Sequence, residues 1–528
     1  MSSTNEQKSE APEVPAGKKR IDLSVLIPTA VIALAVVIWG AVATTSFENA
    51  SAAAFGFVVD TVGWLFIVVT TGIVIYAIYL AFSRYGSVRL GRDHEKPEFS
   101  TGSWVAMMFA AGMGIGLMFY GVAEPLTFYR DGVPGHDPNE VGTAMATTMF
   151  HWTLHPWAIY AIVGLAIAYG TYRLGRRQLI SAAFIPLIGV RNAEGFLGKL
   201  IDVLAIFATV FGTAASLGLG VLQITAGMEY TGLVSNPGTW LMLGIIIVLG
   251  LAFLVSALSG VSKGIQYISN FNMVAALVLA VFVLIAGPTV IILNTIPTAA
   301  GSYLSQFFEM ASRTGASANG TAGEWLSGWT IFYWAWWIAW APFTGVFIAR
   351  ISRGRTIREF VAGVLFVPAI VSFIWFSIFG GISFSVAAEV ALEAVKSTST
   401  AFFVVMHEIP LGAALSFVAI ILLFTFFITS ANSATFVLGM LTQHGDLEPD
   451  NKRKTVWGIL QAALALSLMI GSANGLQMLQ TISIIAAFPF TFIMLFTMVA
   501  LYKALQTDES LRTAQLQQNQ RYMERTES

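Results

Sequence analysis

Apolar runs of about 20 residues recur along the whole chain, and short charged segments separate them. A helix needs roughly 20 mostly apolar residues to cross the hydrocarbon core of a bilayer. Because no water reaches that core, each run must satisfy its own backbone N–H and C=O groups by forming a helix. With 56% hydrophobic and 11% charged residues, the chain also lacks the surface charge of a soluble domain. The sequence therefore predicts an all-α integral membrane protein.

The apolar pattern predicts twelve transmembrane spans. The first six cover residues 23–44, 62–82, 103–119, 144–169, 200–226 and 240–257. The other six cover residues 265–293, 325–348, 360–379, 411–441, 456–470 and 476–501.

The basic residues test this layout, because Lys and Arg favour cytoplasmic segments. With both termini in the cytoplasm, all of the 28 basic residues fall in cytoplasmic segments except Arg130, Arg313 and Lys396. A missed or extra span would scramble this alternation, so the distribution supports twelve spans. No small-residue cleavage site clearly follows the first span, which indicates a retained helix rather than a signal peptide. We expect a multi-pass protein of the cell membrane with both termini inside.

The segments outside the spans are short. Residues 1–22 form a polar cytoplasmic tail, and residues 505–528 form a short cytoplasmic tail without the basic cluster that binds anionic lipid. Residues 297–324 form an extracellular linker, in which residues 303–308 could lie as an amphipathic helix at the interface. Residues 386–395 are a second candidate, and ordinary loops are the alternative for both. The chain contains no cysteine, which excludes disulfides and thiol catalysis.

Glycines interrupt the third span. Gly112, Gly114 and Gly116 occupy every second position, and each weakens a helix by about 1 kcal/mol relative to Ala. In transporters, broken helices near the membrane midplane bind anions at half-helix N-termini and cations at free carbonyls. Small residues also allow close helix packing, but packing favours a spacing of four. We therefore predict that this segment is unwound.

An aromatic stripe follows the eighth span. Residues 332–340 read FYWAWWIAW, so Phe332, Trp336 and Trp340 recur at every fourth position, with Tyr333 and Trp337 in the adjacent row. Tryptophan usually lies at the membrane interface, whereas these residues lie deep in a span. Aromatic faces attract a cation within about 6 Å and form cages for quaternary ammonium groups. Packing or lipid contact is the alternative.

The fourth span carries a second aromatic group. On a continuous helix, Trp152, Trp157 and Tyr160 fall within an arc of about 140° and could complete a box with the eighth span. His151 and His155 have the i, i+4 spacing of a helical metal pair, but no carboxylate or Cys accompanies them in the span. We interpret these histidines as structural.

Hydroxyl pairs lie in two further spans. Thr429 and Ser430 are adjacent in the tenth span, and Thr209 and Thr213 are one turn apart in the fifth. Hydroxyl oxygens can coordinate a hard cation beside free carbonyls, although such residues usually bond back to their own helix. No Asp or Glu lies at the centre of a predicted span, whereas proton-coupled carriers often use a carboxylate there. This absence favours a metal-ion gradient over protons.

Together these segments resemble the betaine/choline/carnitine transporter family over residues 23–501. The most specific matches are residues 112–116 followed by Glu124-Pro125, the stretch His155-Pro156-Trp157, and residues 332–343 followed by 350–355. The resemblance implies a LeuT-like fold with twelve transmembrane helices. Two peripheral helices (residues 23–100) would precede two inverted five-helix repeats, spans three to seven (residues 101–296) and eight to twelve (residues 325–504). It also implies secondary active transport rather than enzymatic activity, and a homotrimer in a bacterial membrane.

The resemblance also implies the residues of the binding sites. The trimethylammonium group of the substrate would lie in a box of Trp152, Trp157, Tyr160 and Trp337. The access path would be lined by Trp336, Trp340 and Phe332. The substrate carboxylate would bind the backbone of Gly112, Met113, Gly114 and Gly116. One sodium ion would bind the carbonyls of Ala110, Met113 and Phe426 with the hydroxyls of Thr429 and Ser430. A second would involve Thr209, Thr213 and the ring of Phe343.

Gly116 bears on the substrate. Betaine-type, sodium-coupled members of the family resemble this chain in having glycine there, whereas choline- and carnitine-type members tend to carry Asp. The sequence thus predicts sodium symport of glycine betaine or a related zwitterionic osmoprotectant, and ectoine and proline betaine also fit a box that recognises charge and size. We expect sodium as the coupling ion, no other cofactor and no nucleic-acid partner. Proton-coupled or exchange transport of choline or carnitine is the alternative. A membrane metalloenzyme built on the histidine pair, and a channel, are the alternatives from other classes.

Overall fold

The structure, a computed structural model, describes residues 21–112, 114–258, 262–470 and 475–508. These residues form α-helices joined by short connections, and no strand occurs among them. Ten helical stretches among the described residues are long and apolar enough to cross a membrane, and two of these stretches, Val141–Arg173 and Ala322–Arg350, join neighbouring helices. The predicted all-helical membrane protein is therefore confirmed.

The helices are numbered in chain order. The first half of the chain forms α1 (Leu23–Val42), α2 (Thr44–Phe82), α3 (Thr101–Gly112), α4 (Ile115–Tyr120), α5 (Ala123–Asp131), α6 (Val141–Trp152), α7 (Leu154–Ala168), α8 (Ile180–Ala183), α9 (Ile185–Glu194), α10 (Phe196–Tyr230) and α11 (Thr239–Leu258). The second half forms α12 (Ser262–Ala286), α13 (Thr289–Ser312), α14 (Ser317–Gly320), α15 (Ala322–Gly328), α16 (Thr330–Arg350), α17 (Ile357–Ser383), α18 (Ala388–Val395), α19 (Thr398–Met406), α20 (Gly412–Leu441), α21 (Asn451–Ile470) and α22 (Gly475–Gln506).

All twelve predicted spans lie on these helices, and two of them fall outside the ten long apolar helices. The third span is divided between α3 and α4, with α5 continuing after a second break. The eleventh is α21, which carries three consecutive basic residues near its start and is less apolar as a whole. Both differences arise from local sequence. Glycines interrupt the third span, and basic residues shorten the apolar part of the eleventh span.

Two connections differ from the predicted layout. Helix α2 begins at Thr44, so the segment between the first two predicted spans is helical. The seventh span ends at Ala286 because Gly287-Pro288 cannot continue the helix, and α13 then starts eight residues before the predicted linker. The candidate amphipathic segment at residues 303–308 is part of α13, which packs along α6 and α17. The second candidate coincides with α18.

The outer surface of the bundle is apolar. Large hydrophobic side chains on α11 and α12 are exposed, including Trp240 at 84% and Ile285 at 71%. Such a surface suits lipid rather than water.

Helix α16 lies at the centre of the bundle, where it packs on α7, α10 and α22. Its side chains are buried almost without exception from Thr330 to Ala349. Glycines allow the close approach, since a Cβ on Gly164 of α7 would lie 3.1 Å from the carbonyl oxygen of Gly345. The aromatic stripe is thus held inside the protein and does not face lipid.

Connections predicted to share the cytoplasmic side meet at one end of the bundle. Arg173 pairs with Asp508 at 2.9 Å, Arg353 pairs with Glu95 at 2.5 Å, and Arg89 donates to the carbonyl of Gly354. At the opposite end, His136 and Arg313 both contact Glu309. These contacts agree with the predicted grouping of the loops, while the identity of the cytoplasmic end stays a prediction.

Candidate functional site

The glycine segment breaks the third span. Helix α3 contains Ala110 and ends at Gly112, Met113 lies outside the described residues, and Gly114 has φ −179° and ψ −121° before α4 begins. The interruption is shorter than the predicted unwound segment of residues 112–116, because Gly116 lies inside α4. Gly114 is the described residue at which helical geometry is lost.

A small cavity lies where this break meets four other helices. Its lining comes from the break and α4 (Gly114, Ile115, Gly116, Leu117), α6 (Trp152), α10 (Ser216), α16 (Trp336, Trp337, Trp340) and α20 (Ser430). The cavity volume is about 20 Å³, which is room for about one water molecule. Segments far apart in sequence therefore converge on one site.

Three indoles and one glycine set the shape of this cavity. The rings of Trp152 and Trp337 lie 5.0 Å apart at 73°, whereas Trp336 and Trp337 stack at 4.7 Å and 13°. A Cβ added to Gly116 would lie 2.8 Å from Cη2 of Trp152 and 3.0 Å from Cη2 of Trp336. Position 116 therefore has no room for a side chain unless the indoles move.

Three other aromatic residues of the predicted site lie behind the cavity wall. Tyr160 lies 6.4 Å from Trp337 at 85°, and Trp157 lies 5.6 Å from Tyr160 at 90°. Phe332, predicted on the access path, is buried and stacks on Trp336 at 5.5 Å. Trp336 and Trp340, predicted on the same path, instead line the cavity itself.

The fourth span is not one continuous helix. Thr153 has φ −107° and ψ −103°, so α6 ends at Trp152 and α7 starts at Leu154. The arc predicted for Trp152, Trp157 and Tyr160 assumed a continuous helix and does not apply across this kink. Trp152 reaches the cavity from α6, while the other two belong to α7.

Each cavity indole is held by a hydrogen bond. Trp336 donates to Oγ of Ser216 at 2.8 Å, and Trp340 donates to the carbonyl of Gly212 at 3.0 Å. Trp337 donates to the carbonyl of His151 at 3.1 Å. Trp152 donates to Glu124 at 2.7 Å. The ring orientations are therefore fixed by polar contacts as well as by packing.

Glu124 is a carboxylate buried in the bundle, although no Asp or Glu lies at the centre of a predicted span. Its side chain is fully buried and accepts from the indole of Trp152 and the hydroxyl of Tyr333. His151 contacts its other oxygen at 2.7 Å. The sequence pattern missed it because Glu124 lies beyond the end of the third predicted span, in the first turn of α5. Because this carboxylate is buried, the lack of Asp and Glu at the centres of the predicted spans gives no reason to prefer sodium over protons.

The histidines lack the geometry of a metal pair. The kink at Thr153 separates His151 from His155, and His155 stacks on Trp334 at 4.6 Å and 20°. No group of three potential metal ligands from His, Cys, Asp and Glu occurs among the residues that the structure describes. His151 bonds to side chains rather than to neighbouring backbone, with Nε2 2.9 Å from Oγ1 of Thr330.

Residues predicted for the first sodium ion lie beside the break. A Cβ on Gly114 would be 3.6 Å from the ring of Phe426 and 3.7 Å from Oγ of Ser430. The hydroxyl of Thr429 contacts the carbonyl of Phe426 at 3.1 Å and also lies 3.4 Å from the side-chain nitrogen of Asn272. Ser430 thus faces the break, whereas Thr429 faces α12.

Residues predicted for the second sodium ion lie on α10 and α16. The hydroxyls of Thr209 and Thr213 donate to carbonyls of their own helix, at 2.8 Å and 2.6 Å. Gln461 of α21 donates to the hydroxyl of Thr213 at 2.5 Å. Phe343 packs 5.5 Å from the ring of Trp340. Sequence reasoning missed Gln461, although an amide in an otherwise apolar span was a signal.

Two larger cavities lie outside the aromatic site. One of about 470 Å³ has an almost wholly apolar wall and includes the exposed side chains of Leu277 and Ile374, so it opens toward lipid. Another of about 340 Å³ extends from Ser433 of α20 to Arg350 at the end of α16. The small cavity is the one where aromatic faces, a broken helix and hydroxyl groups converge, which makes it the candidate binding site.

Comparisons with known proteins agree over almost the whole chain. The family model described as betaine/carnitine/choline family transporter matches residues 24–510. The chain is 45% identical to the glycine betaine transporter OpuD of Bacillus subtilis, over 90% of this chain and 93% of that protein. It is 40% identical to the betaine/ectoine transporter LcoP of Corynebacterium glutamicum, over 92% and 78%. A solved structure of a Na⁺-coupled sialic acid symporter is similar with a TM-score of 0.43 and 12% identity, over 76% of this chain and 79% of that one.

Proposed function

Because the chain belongs to the betaine/carnitine/choline transporter family, we propose that it takes up glycine betaine or a related zwitterionic compatible solute together with sodium. Its relatives are transporters, and the chain is a transporter rather than an enzyme. Two of them carry betaine or ectoine in their names, which supports the class of solute.

One observation carries the proposal: four indoles and the break in the third span line the same buried cavity. A quaternary ammonium has no N–H to donate, so ring faces suit it better than hydrogen-bond acceptors. The broken helix supplies backbone groups on the opposite side for a carboxylate. A solute with both charges fits this division, with its nitrogen toward Trp152 and Trp337 and its carboxylate toward residues 112–116.

Oxygen-rich positions beside the cavity support sodium as the coupling ion. Ser430 adjoins the break, and the carbonyl of Phe426 accepts a hydrogen bond from the hydroxyl of Thr429. Such oxygens suit a hard cation, and these residues would hold it with the carbonyls of Ala110 and Met113. Thr209, Thr213 and Phe343 would hold a second ion. Bound sodium would supply positive charge near the substrate carboxylate.

Transport requires the helices to move. The cavity admits about one water molecule, so a solute enters when the glycine break and α20 move away from α16. The cavity of about 340 Å³ near Arg350 lies at the end where the predicted cytoplasmic loops meet, which supports it as the release path. Alternating access would then rock one group of helices against the other around the site. The inverted repeats and the homotrimer implied by the family stay predictions.

Uptake of labelled glycine betaine into proteoliposomes tests the proposal. A sodium gradient directed inward should drive accumulation, and an equal potassium gradient should not. Accumulation that is independent of sodium would contradict sodium coupling while leaving the solute class intact. Absence of uptake for betaine, ectoine and proline betaine would contradict the solute class.

Proton-coupled or exchange transport of choline or carnitine is a second candidate. The buried contact between Glu124 and His151 favours it, because such pairs serve as proton relays in other carriers. Gly116 opposes it, because a net cation such as choline needs a negative partner that glycine does not provide. Uptake of choline or carnitine that is driven by a pH gradient without sodium would support proton-coupled transport.

A further inference from the structure

Glu124 connects the two indoles that form the angled walls of the cavity. One carboxylate oxygen accepts from Trp152 at 2.7 Å and from the hydroxyl of Tyr333. The other oxygen lies 2.7 Å from Nδ1 of His151. Burying a carboxylate in a membrane bundle costs free energy unless it gains such partners, and here both carboxylate oxygens have them.

His151 carries the connection from Glu124 to Trp337. Its ring is held from the far side by Thr330 at 2.9 Å and stacks on Tyr333 at 4.7 Å and 27°. Its carbonyl accepts from the indole of Trp337 at 3.1 Å. Glu124 thus holds Trp152 directly and Trp337 through the residue that bonds to it.

We propose that Glu124 is a positioning residue that fixes the orientation of Trp152 and Trp337 toward the substrate nitrogen. This inference rests on the proposed role of these indoles in substrate binding. A cation is attracted by the face of an aromatic ring, whereas the ring edge carries the opposite partial charge. An indole released from its anchor turns its edge or its N–H toward the cation and loses the attraction.

The chemistry of the cluster predicts a conservative variant that retains function. In Glu124→Gln, the amide oxygen can accept from Trp152 and Tyr333 while the amide nitrogen donates to Nδ1 of His151. The histidine proton then lies on Nε2 and points to Thr330. All four contacts survive although the negative charge does not, so orientation and charge can be separated.

Transport kinetics and selectivity in proteoliposomes test the proposal. In Glu124→Met, KM for glycine betaine should rise at least tenfold, with Vmax within threefold and with reduced preference for betaine over its dimethyl analogue. In Glu124→Gln, KM should stay within about 1.5-fold. Asp202→Asn is the matched control, because Asp202 is buried and accepts from Ser181, and neither residue lines the cavity. Its KM should not change.

Each alternative outcome separates this inference from the proposed function. Unchanged KM in Glu124→Met, beside a raised KM in Trp337→Leu, overturns the role of Glu124 and leaves the aromatic site intact. Unchanged KM in both Glu124→Met and Trp337→Leu contradicts the aromatic site itself. An equal rise of KM in Glu124→Gln and Glu124→Met would show that binding needs the negative charge of Glu124, and would overturn its role as a positioning residue. If Glu124→Met does not fold, Thr330→Val removes the bond to His151 at nearly constant volume. It should raise KM about threefold, and unchanged KM overturns the proposal.

Gln461 supports a second, independent inference. Its side chain is 1% exposed, its nitrogen donates to Thr213, and its oxygen Oε1 has no hydrogen-bond partner among the described residues. Leaving a buried acceptor unpaired is costly. Gln461 also contacts Thr213, a predicted sodium ligand, so a cation bound there would be within reach of this oxygen. We infer that Oε1 of Gln461 is a ligand for the second proposed sodium ion, contributed by α21 to the hydroxyls of α10.

Sodium-dependent thermal stabilisation without substrate tests this ligand independently of transport. Gln461→Leu should need at least fivefold more sodium for half-maximal stabilisation, and Gln461→Glu should need no more than the wild type. Gln178→Leu is the matched control, since Gln178 is equally buried with an unpaired oxygen but bonds to the carbonyl of Val346 instead. A wild type that sodium does not stabilise contradicts sodium coupling. A normal response in Gln461→Leu, or an equal shift in Gln178→Leu, overturns the ligand.

Discussion

The two halves of the candidate site are built differently. On the aromatic side, Trp152, Trp336, Trp337 and Trp340 are packed tightly, and each indole N–H has a hydrogen-bond acceptor. On the opposite side, the glycine break lies against α20 with more space, since a Cβ on Gly114 would meet its nearest neighbours at 3.6 Å and 3.7 Å. One wall is fixed by polar contacts, and the other is a loosened helix against hydroxyl groups.

This difference predicts which side of the cavity moves when it opens. A wall whose polar groups are all paired resists rotation, because turning an indole leaves its N–H unsatisfied. The broken helix has already lost its regular hydrogen bonds, so shifting it sacrifices less. We expect the cavity to open mainly through movement of the break and α20, while the aromatic wall keeps its geometry.

Removing an indole from the fixed wall should have the largest effect. Trp337→Leu should weaken glycine betaine binding by about 2 kcal/mol, or roughly thirtyfold, through loss of one desolvated cation–π contact. Equilibrium binding in the presence of sodium measures it. Trp334→Leu is the control, because Trp334 is buried on the same helix but does not line the cavity. Equal losses in the two variants would contradict a specific role for Trp337.

Crowding the fixed wall should come next. Gly116→Ala introduces a Cβ within 3.0 Å of Trp152 and Trp336, and overpacking of this kind costs about 1–3 kcal/mol. We expect KM for betaine to rise about tenfold, because the indoles must move apart. Transport kinetics check this expectation. A normal KM would show that the aromatic wall yields easily and would remove the contrast between the two halves.

The hydroxyl groups of α20 should have a smaller and unequal effect. Ser430→Ala should raise the sodium concentration for half-maximal uptake about fivefold, through loss of one oxygen ligand. Thr429→Ala should raise it less, because the hydroxyl of Thr429 already donates to carbonyls of its own helix and faces Asn272. Sodium titration of betaine uptake measures both. An unaltered sodium dependence in the double variant would remove this ion site.

Crowding the loosened wall should have the smallest effect. A Cβ on Gly114 meets its neighbours at ordinary contact distances, so Gly114→Ala should change KM by less than about twofold. The same kinetics as for Gly116→Ala provide the comparison. Equal damage in the two variants would mean that the break is as tightly constrained as the aromatic wall.

The spans and the aromatic stripe could be predicted from sequence because both follow from local composition and helical periodicity. Apolar length fixed the positions of the long helices, and the four-residue spacing of Phe332, Trp336 and Trp340 placed them on one face of α16. The glycine spacing in the third span likewise indicated the break that Gly114 makes. These features need no knowledge of neighbouring helices.

The remaining features depend on contacts between distant segments. The kink at Thr153 is an exception with a local signal, because Pro156 has no N–H for the carbonyl of Trp152 and its ring crowds that carbonyl. Without this argument, the faces of Trp157 and Tyr160 were assigned on a helix that is not continuous. Glu124 was counted outside the membrane because it follows the third predicted span, and its burial becomes evident only from its contacts with Trp152 and His151. Adjacent hydroxyls at Thr429 and Ser430 face different neighbours because successive helical residues diverge by about 100°.

Competition by an uncharged-head analogue tests the central claim most directly. In 3,3-dimethylbutyrate, carbon replaces the quaternary nitrogen of glycine betaine, so the shape and the carboxylate stay nearly the same while the positive charge is lost. If indole faces bind the nitrogen, this compound should compete with labelled betaine at least thirtyfold more weakly than unlabelled betaine does. Equal competition would show that the cavity recognises shape alone and would contradict a cation-binding aromatic site.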